Sequence, residues 1–139
     1  MKVHDLSPGA VKQMPQVDLS SLSLPPESPI AEFRFNDSTC GVGAFVGQPP
    51  WECHTTGDEL LHVLTGQTEL TIIGGDNPQR RDLGPGSVVV VPRGSWHRNA
   101  APEGVTMLYI TPREGNLHSW AEGDPRDETT SSPDPRPNR

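Results

Sequence analysis

The chain has 139 residues, a length that fits one domain, and it contains 14 glycines and 16 prolines with only 32% hydrophobic residues. This composition disfavours long helices and favours short strands joined by turns. The formal net charge is −7, and no dense stripe of Lys or Arg is present, which argues against a nucleic-acid partner. The longest apolar run, Val88 to Val91, is too short to cross a membrane.

The two ends of the chain differ in composition from its centre. Residues 1–29 contain five prolines and a serine-rich stretch, and we expect an extended arm that lies across the domain or a neighbouring subunit. Residues 113–139 are rich in Pro, Asp, Arg, Ser and Thr and hold too few apolar side chains to offset the entropy of ordering. We therefore expect a folded domain over residues 30–112 and a flexible tail after it, mobile beyond about Glu122.

The cellular location follows from the N-terminus and the cysteines. The N-terminus has no charged region followed by an apolar one, so a signal peptide is not expected. Cys40 and Cys53 could form one disulfide, but nothing in the sequence requires it, and we interpret both as free thiols. These features indicate a cytoplasmic protein.

Between the two ends, alternating residues and turn signals predict a series of short strands. Gly66-Gln67 favours a hairpin turn, and residues 74–78 form a strong loop signal. Strands this short, with almost no helical periodicity, indicate an all-β sandwich or barrel. In chain order they are predicted at Ile30–Phe35, Thr39–Val46, Trp51–His54, Glu59–Thr65, Thr68–Ile73, Arg80–Leu83, Ser87–Val91, Trp96–Asn99 and Val105–Thr111.

Four residues have the chemistry and the placement of metal ligands. Residues two apart on a strand point to the same side, so Glu52 and His54 share a face. After a short turn, Glu59 opens the returning strand and can face His54. His97 follows a Pro-x-Gly turn at the end of an apolar strand. Two imidazoles and one carboxylate that converge inside a barrel form a facial triad, which leaves coordination positions open.

The spacing of these residues resembles the two signature motifs of the cupin family. The first motif matches at His54, Glu59 and Gly66, and the second at Gly86, Pro92, Arg93, Gly94 and His97. The resemblance covers about residues 30–112. It implies a single cupin-type antiparallel β-barrel, jelly-roll-like in topology, that holds one divalent metal ion with His54, Glu59 and His97 on inward-facing strand positions.

The chain departs from the family pattern at Glu52. Cupins commonly have a histidine two residues before the one that matches His54, whereas this chain has a glutamate. Three roles remain open for Glu52: a fourth metal ligand, a general base, or a residue that orients a ligand.

Other residues are weaker candidates. Met107 and Tyr109 share one face of the last predicted strand. If that face is inward, Tyr109 supplies a hydroxyl near the substrate, and the alternative is an outer packing position. His62 is out of phase with Glu59, and we expect it outside the site. His118 lies in the predicted tail, where we expect no chemical role.

The ligand types do not identify the metal by themselves. Fe²⁺ is favoured because two histidines and one carboxylate leave positions for dioxygen, while Zn²⁺, Mn²⁺, Ni²⁺ and Cu²⁺ also suit these donors. The first functional hypothesis is an oxygenase acting on a small-molecule substrate, with Glu52 or Tyr109 moving protons. The second is a metal-dependent lyase or isomerase with Glu52 as the base. The third is a non-catalytic cupin that senses or stores a ligand or metal.

The sequence also predicts a homodimer. A barrel of this size exposes strand edges, and the apolar Phe33 and Phe35 lie close to the N-terminal arm. We expect residues before about Ile30 to contribute to the interface.

Overall fold

The computed structural model describes residues 1, 3–19, 30–127 and 132–133. This part of the chain contains one short helix, α1 (Pro8–Lys12), one turn of 3₁₀ helix (Pro125–Asp127) and eleven strands. The all-β expectation is therefore confirmed. The strands are β1 (Val17–Asp18), β2 (Ile30–Phe35), β3 (Ser38–Gly47), β4 (Trp51–His54), β5 (Glu59–Gly66), β6 (Thr68–Ile73), β7 (Pro78–Leu83), β8 (Val88–Val91), β9 (Trp96–Pro112), β10 (Asn116–Ser119) and β11 (Ser132–Pro133).

The long strand β9 is shared by two sheets. Its first part pairs with β4 and β6, in a sheet of order β7-β6-β9-β4-β10-β11. Its second part pairs with β3 on one side and β5 on the other, with β1 and β2 beyond β3 and β8 beyond β5. The two segments predicted at residues 96–99 and 105–111 are thus one strand. Its two parts are separated at residues 102–104, where the register with β3 shifts and Gly104 has φ of 93°.

The apolar core is built by side chains from both sheets. Along β5, buried and partly buried residues alternate, so Leu61 and Val63 face the core while Leu60 and His62 face outward. Leu70 of β6 joins them from the other sheet. The fully buried members of this core are Leu61, Val63, Leu70, Val91, Ala101, Val105 and Met107. The same alternation places Glu59, two residues before Leu61, on the inner side.

The N-terminal arm is only partly extended and lies against its own sheet. Helix α1 begins after Ser7, whose hydroxyl accepts a hydrogen bond from the backbone of Ala10, and Pro8 occupies the first helical turn. Val11 of this helix is buried. Strand β1 then pairs in parallel with β3. The rest of the predicted arm, residues 20–29, lies outside the described residues.

At the C-terminal end, the second sheet continues past the predicted boundary at residue 112, because β10 pairs with β4. The Arg98 guanidinium donates to the carbonyls of Ala121 and Glu122 and stacks 4.3 Å above the Trp51 ring. Arg126 also donates to the carbonyl of Gly75 at 2.7 Å, and Pro125 is buried, so the chain is held up to Asp127 and not only to the predicted limit at Glu122. The predicted mobile tail falls largely on residues 128–131 and 134–139, which lie outside the described residues.

No helix in the described ranges has the length and apolar character required to cross a membrane.

Candidate metal centre

Four side chains meet at one end of the core. Glu52 and His54 lie on β4, Glu59 begins β5, and His97 lies near the start of β9. One potential ligand atom of each lies within 4.8 Å of those of the others. We call these four residues the metal cluster. The structure thus brings together all four residues that the sequence indicated as candidate ligands.

The closest contacts within the metal cluster centre on one oxygen of Glu59. Its Oε2 atom lies 3.2 Å from Nε2 of His54 and 2.9 Å from Nε2 of His97. Glu52 is farther out, with Oε2 3.8 Å from Nε2 of His97. The three residues of the cupin-like motifs therefore form the inner group, and Glu52 lies at its edge.

Hydrogen bonds between loops hold the strand ends that carry the cluster. The backbone N–H of Gly94 donates to the carbonyl of His54 at 2.8 Å, so the turn before His97 is tied to β4. The backbone N–H of Arg93 donates to the Asp58 carboxylate at 2.8 Å, which ties the same turn to the residue before Glu59. These bonds explain how residues far apart in sequence are brought to one point.

Both imidazole rings direct Nε2 toward the cluster. Nδ1 of His54 lies 2.8 Å from Oδ1 of Asn116, and Nδ1 of His97 lies 3.4 Å from the carbonyl oxygen of Ser95. Because both partners are acceptors, Nδ1 of each neutral ring carries the proton. Nε2 of each ring then carries no proton and has a free lone pair, which is the form in which histidine binds a metal ion.

The inner group fits a cation. In the neutral rings, the buried Nε2 atoms of His54 and His97 have no hydrogen to donate, so neither they nor the buried Oε2 of Glu59 has a hydrogen-bond partner among the described residues. With neutral rings, all three atoms are acceptors that face one another, an arrangement that is costly to bury without a positive charge between them. Imidazole nitrogen with carboxylate oxygen is a common donor set for divalent transition metals. These residues therefore suit one divalent metal ion.

In the metal-free protein, a proton on Nε2 of a ring can take the place of the metal's positive charge and donate a hydrogen bond to Glu59. Burial alone would raise the pKa of Glu59, but hydrogen bonds from His54 and His97 outweigh it and lower the pKa to about 2. Burial alone would lower the pKa of His54, yet the hydrogen bond and negative charge of Glu59, with the charge of Glu52, raise it. The cluster thus favours an ionised Glu59 carboxylate beside a positively charged His54 ring when no metal ion is bound.

Glu52 has an unforeseen partner. Its side chain is 21% exposed, and its Oε1 accepts a 3.0 Å hydrogen bond from Nε2 of His118, which is itself buried. The expectation that His118 lies in a flexible tail is wrong, because β10 carries this residue to the side of the cluster. The sequence did contain a signal: Asn116-Leu117-His118 alternates polar and apolar residues as Glu52-Cys53-His54 does.

Tyr109 faces inward. It lies on the same side of β9 as the core residue Met107 and as Thr111, whose hydroxyl donates to Glu59. Its ring lies over Gly41, where a Cβ would overlap the tyrosine hydroxyl, and that hydroxyl donates to Glu32 on β2. Of the two positions considered for Tyr109, the inner one is therefore observed. His62 lies on the opposite side of β5 from Glu59, as expected.

Comparisons with known proteins agree with this geometry. A family model described as a cupin domain matches residues 43–111. A cupin-2 domain containing protein from Shewanella frigidimarina is 27% identical, with a TM-score of 0.51 over 68% of this chain and 89% of that chain. A search of curated proteins finds no match.

Two further solved structures share the fold at low sequence identity. A protein from Neisseria meningitidis is 14% identical, with a TM-score of 0.57 over 80% of this chain and 99% of that chain. An oxalate decarboxylase from Bacillus subtilis, described with Mn(II) centres, is 15% identical, with a TM-score of 0.53 over 59% of this chain and 24% of that chain. With the family match, the two-sheet fold and the His/Glu cluster at the motif positions, the chain belongs to the cupin superfamily.

Proposed function

We propose that the protein is a metal-dependent oxygenase acting on a small molecule that can coordinate the metal. The observation that carries the proposal is the inner group of two imidazole nitrogens and one carboxylate oxygen, all buried and all acceptors. Two histidines and one carboxylate occupy three coordination positions and leave others open, as in Fe²⁺-dependent oxygenases. Fe²⁺ is therefore the metal that we propose.

The protein's own residues have separate tasks in this proposal. His54, Glu59 and His97 hold the ion, which supplies Lewis-acid and redox chemistry when it is bound. Glu52 lies at the edge of the cluster, where its Oε2 can accept a proton from a substrate. Tyr109 is the second candidate for moving a proton, since its hydroxyl lies on the inner face and is held by Glu32.

A metal-dependent lyase or isomerase is the second candidate, and the position of Glu52 favours it. One oxygen of this carboxylate is held by His118 while the other faces the cluster, which suits a general base. The fold is also compatible with such chemistry, since it is shared by an oxalate decarboxylase. At 15% identity, that likeness supports the fold and not the substrate.

The decisive experiment combines metal analysis with an assay for oxygen uptake. The protein is purified without chelators, its metal is quantified, and samples are reconstituted anaerobically with Fe²⁺, Mn²⁺ or Zn²⁺. Small substrates that chelate metals, such as catechols and hydroxy or keto acids, are then screened with and without oxygen. Oxygen consumption that is stoichiometric with substrate loss supports the oxygenase. Substrate loss without oxygen supports the lyase or isomerase, and tight metal binding without turnover supports a sensing or storage role.

We also propose that the protein is a homodimer. Leu61 and Val63 mark the inner face of the sheet that contains β2, β5 and β8. On its outer face, apolar side chains of β2 and β8 are exposed: Phe33, Phe35, Val88 and Val90. Among the described strands, β8 pairs only with β5, so it also presents a free edge. A second copy of this chain would cover both features.

A cytoplasmic location remains part of the proposal. Cys40 and Cys53 are buried free thiols, and burial raises the pKa of both, so they persist as thiols. Unpaired cysteines are typical of proteins in a reducing compartment.

A further inference from the structure

Strand β10 lies beside β4 in a register that matches two pairs of polar residues. Asn116 is directly opposite His54, and His118 is directly opposite Glu52. Because residues two apart on a strand share a face, both β10 side chains point to the side that carries the cluster. Leu117, between them, lies opposite Cys53 and points the other way.

Asn116 determines which nitrogen of His54 is protonated. Its Nδ2 donates a 2.8 Å hydrogen bond to the carbonyl of Pro112, which sets the orientation of the amide. Its Oδ1 therefore faces Nδ1 of His54, at 2.8 Å, and accepts a hydrogen bond from it. Because the proton is held at Nδ1, Nε2 of His54 keeps a free lone pair that is directed at the cluster.

His118 determines which oxygen of Glu52 reaches the cluster. The His118 ring is 2% exposed, and its Nε2 lies 3.0 Å from Oε1 of Glu52. With Oε1 held by this bond, Oε2 is the oxygen that faces His97, at 3.8 Å. Glu52 can thus offer one oxygen to the centre, and the side chain is held away from a chelating position.

We propose that Asn116 and His118 are positioning residues of the metal centre, so that β10 sets the geometry of both β4 residues in the cluster. The inference rests on the proposed metal centre and adds to it the contribution of a strand that lies beyond the family match at residues 43–111. Neither residue touches the ion. Asn116 orients the ligand His54, a role whose loss typically weakens metal affinity by about 10- to 100-fold, and His118 sets which oxygen of Glu52 faces the ion.

The test uses full-length variants and Co²⁺ as the probe ion. Asn116→Leu and His118→Phe remove the polar group while keeping most of the side-chain volume. Affinity for Co²⁺ is measured by competition with a chromogenic chelator, and the visible absorption of bound Co²⁺ reports the coordination geometry. We expect Asn116→Leu to bind Co²⁺ about 10- to 100-fold more weakly than the unchanged protein. His118→Phe releases Glu52 from its fixed orientation, so we expect an altered spectrum with an affinity within a few-fold of the unchanged protein.

Conservative variants separate positioning from a general structural role. Asn116→Asp keeps the acceptor for His54 and should bind Co²⁺ within a few-fold of the unchanged protein. His118→Gln keeps a donor for Glu52 and should give the spectrum of the unchanged protein. Leu117→Val, on the opposite face of β10, is the matched control and should leave affinity and spectrum unchanged. Thermal unfolding of each variant verifies that it is folded.

The possible failures are distinguishable. If folded Asn116→Leu binds Co²⁺ as tightly as the unchanged protein, or folded His118→Phe gives an unchanged spectrum, the positioning role of that residue is overturned while the metal centre stands. If Asn116→Asp loses as much affinity as Asn116→Leu, or His118→Gln alters the spectrum as His118→Phe does, the positioning role is also overturned. If the unchanged protein binds no Co²⁺, the metal centre itself is wrong.

Discussion

The hydroxyl of Thr111 donates a 2.6 Å hydrogen bond to Oε1 of Glu59. The other oxygen, Oε2, is thereby left to face Nε2 of His54 and of His97. Glu59 is only 4% exposed, so bulk water cannot replace Thr111 as the donor. Thr111 thus keeps the carboxylate in an orientation that offers one oxygen to a metal ion.

Replacing this threonine should weaken metal binding without preventing folding. Thr111→Val has nearly the same shape but leaves Oε1 of Glu59 without its donor, and we expect metal affinity to fall by about 10-fold. Thr111→Ser keeps the hydroxyl and serves as the control. Chelator competition measures both, and equal affinities for the two variants would contradict this role.

The two histidines on opposite faces of the sheets should behave differently. His97→Ala removes a donor from the inner group and should eliminate most bound metal, as measured by elemental analysis of the purified protein. His62→Ala changes a residue on the outer side of β5 and should leave the metal content unchanged. Metal retained by His97→Ala would show that the ion binds elsewhere.

Glu52→Gln distinguishes the three roles of this residue. Glutamine keeps the size of the side chain and an oxygen that can accept from His118, but it removes the charge. We expect retained metal and substrate binding with turnover lowered by about 10²–10⁴, the effect of losing a general base. A large loss of metal would instead identify Glu52 as a ligand. Lower stability with unchanged activity per folded molecule would identify a structural role.

The metal-free protein should be most stable at mildly acidic pH. Folding lowers the pKa of Glu59 from 4.5 to about 2. The contribution of Glu59 to the free energy of unfolding is therefore fully present above pH 4.5 and is lost as the pH falls toward 2. Folding raises the pKa of His54 above 6.5, so its contribution is fully present below 6.5 and is lost as the pH rises through the raised value. The free energy of unfolding is therefore expected to be highest between pH 4.5 and pH 6.5, the ordinary pKa values of the two groups.

Urea unfolding of chelator-treated protein at a series of pH values measures this dependence. In Glu59→Gln, which cannot form the carboxylate, the decline on both sides should be smaller. A free energy of unfolding that increases steadily from pH 6.5 to pH 8.5 is the result that this account does not allow.

The oligomeric state can be measured by light scattering. At micromolar concentration we expect about twice the chain mass of 15.1 kDa. Val88→Lys with Val90→Lys places charges where the side chains are 58% and 52% exposed, and this pair should yield monomers. Gln79→Lys, on the exposed strand β7, is the control. Deleting residues 1–25 should weaken the dimer more than deleting residues 123–139, and a monomeric unchanged protein contradicts the proposal.

Local patterns were sufficient to predict most of the strands and the position of the candidate ligands. Alternation placed Glu52 with His54, and the turn before Glu59 returned that residue toward them, as observed. Bounds of β2, β4 and β6 agree with the residues predicted, because each strand has clear alternation between turn signals. The same alternation along β5 correctly predicted that His62 lies on the opposite side of the strand from Glu59.

Contacts between distant segments could not be predicted in this way. β10 has the composition of a tail, and its order comes from hydrogen bonds to β4, residues 62 and 66 positions away. The side on which Tyr109 lies depends on Gly41 of a neighbouring strand, which leaves room for its ring. Such information is absent from the local pattern, since it depends on which strands are neighbours.

Strand β9 carries both His97, near its start, and Thr111, near its end, and both side chains contact Glu59. Fully extended, the chain between these two residues would span about 46 Å. The strand must therefore curve so that both of its ends reach one carboxylate, and its irregular residues 102–104 lie between these ends. The curvature of one strand thus brings a metal ligand, His97, and the residue that orients a second ligand, Thr111, to the same side chain.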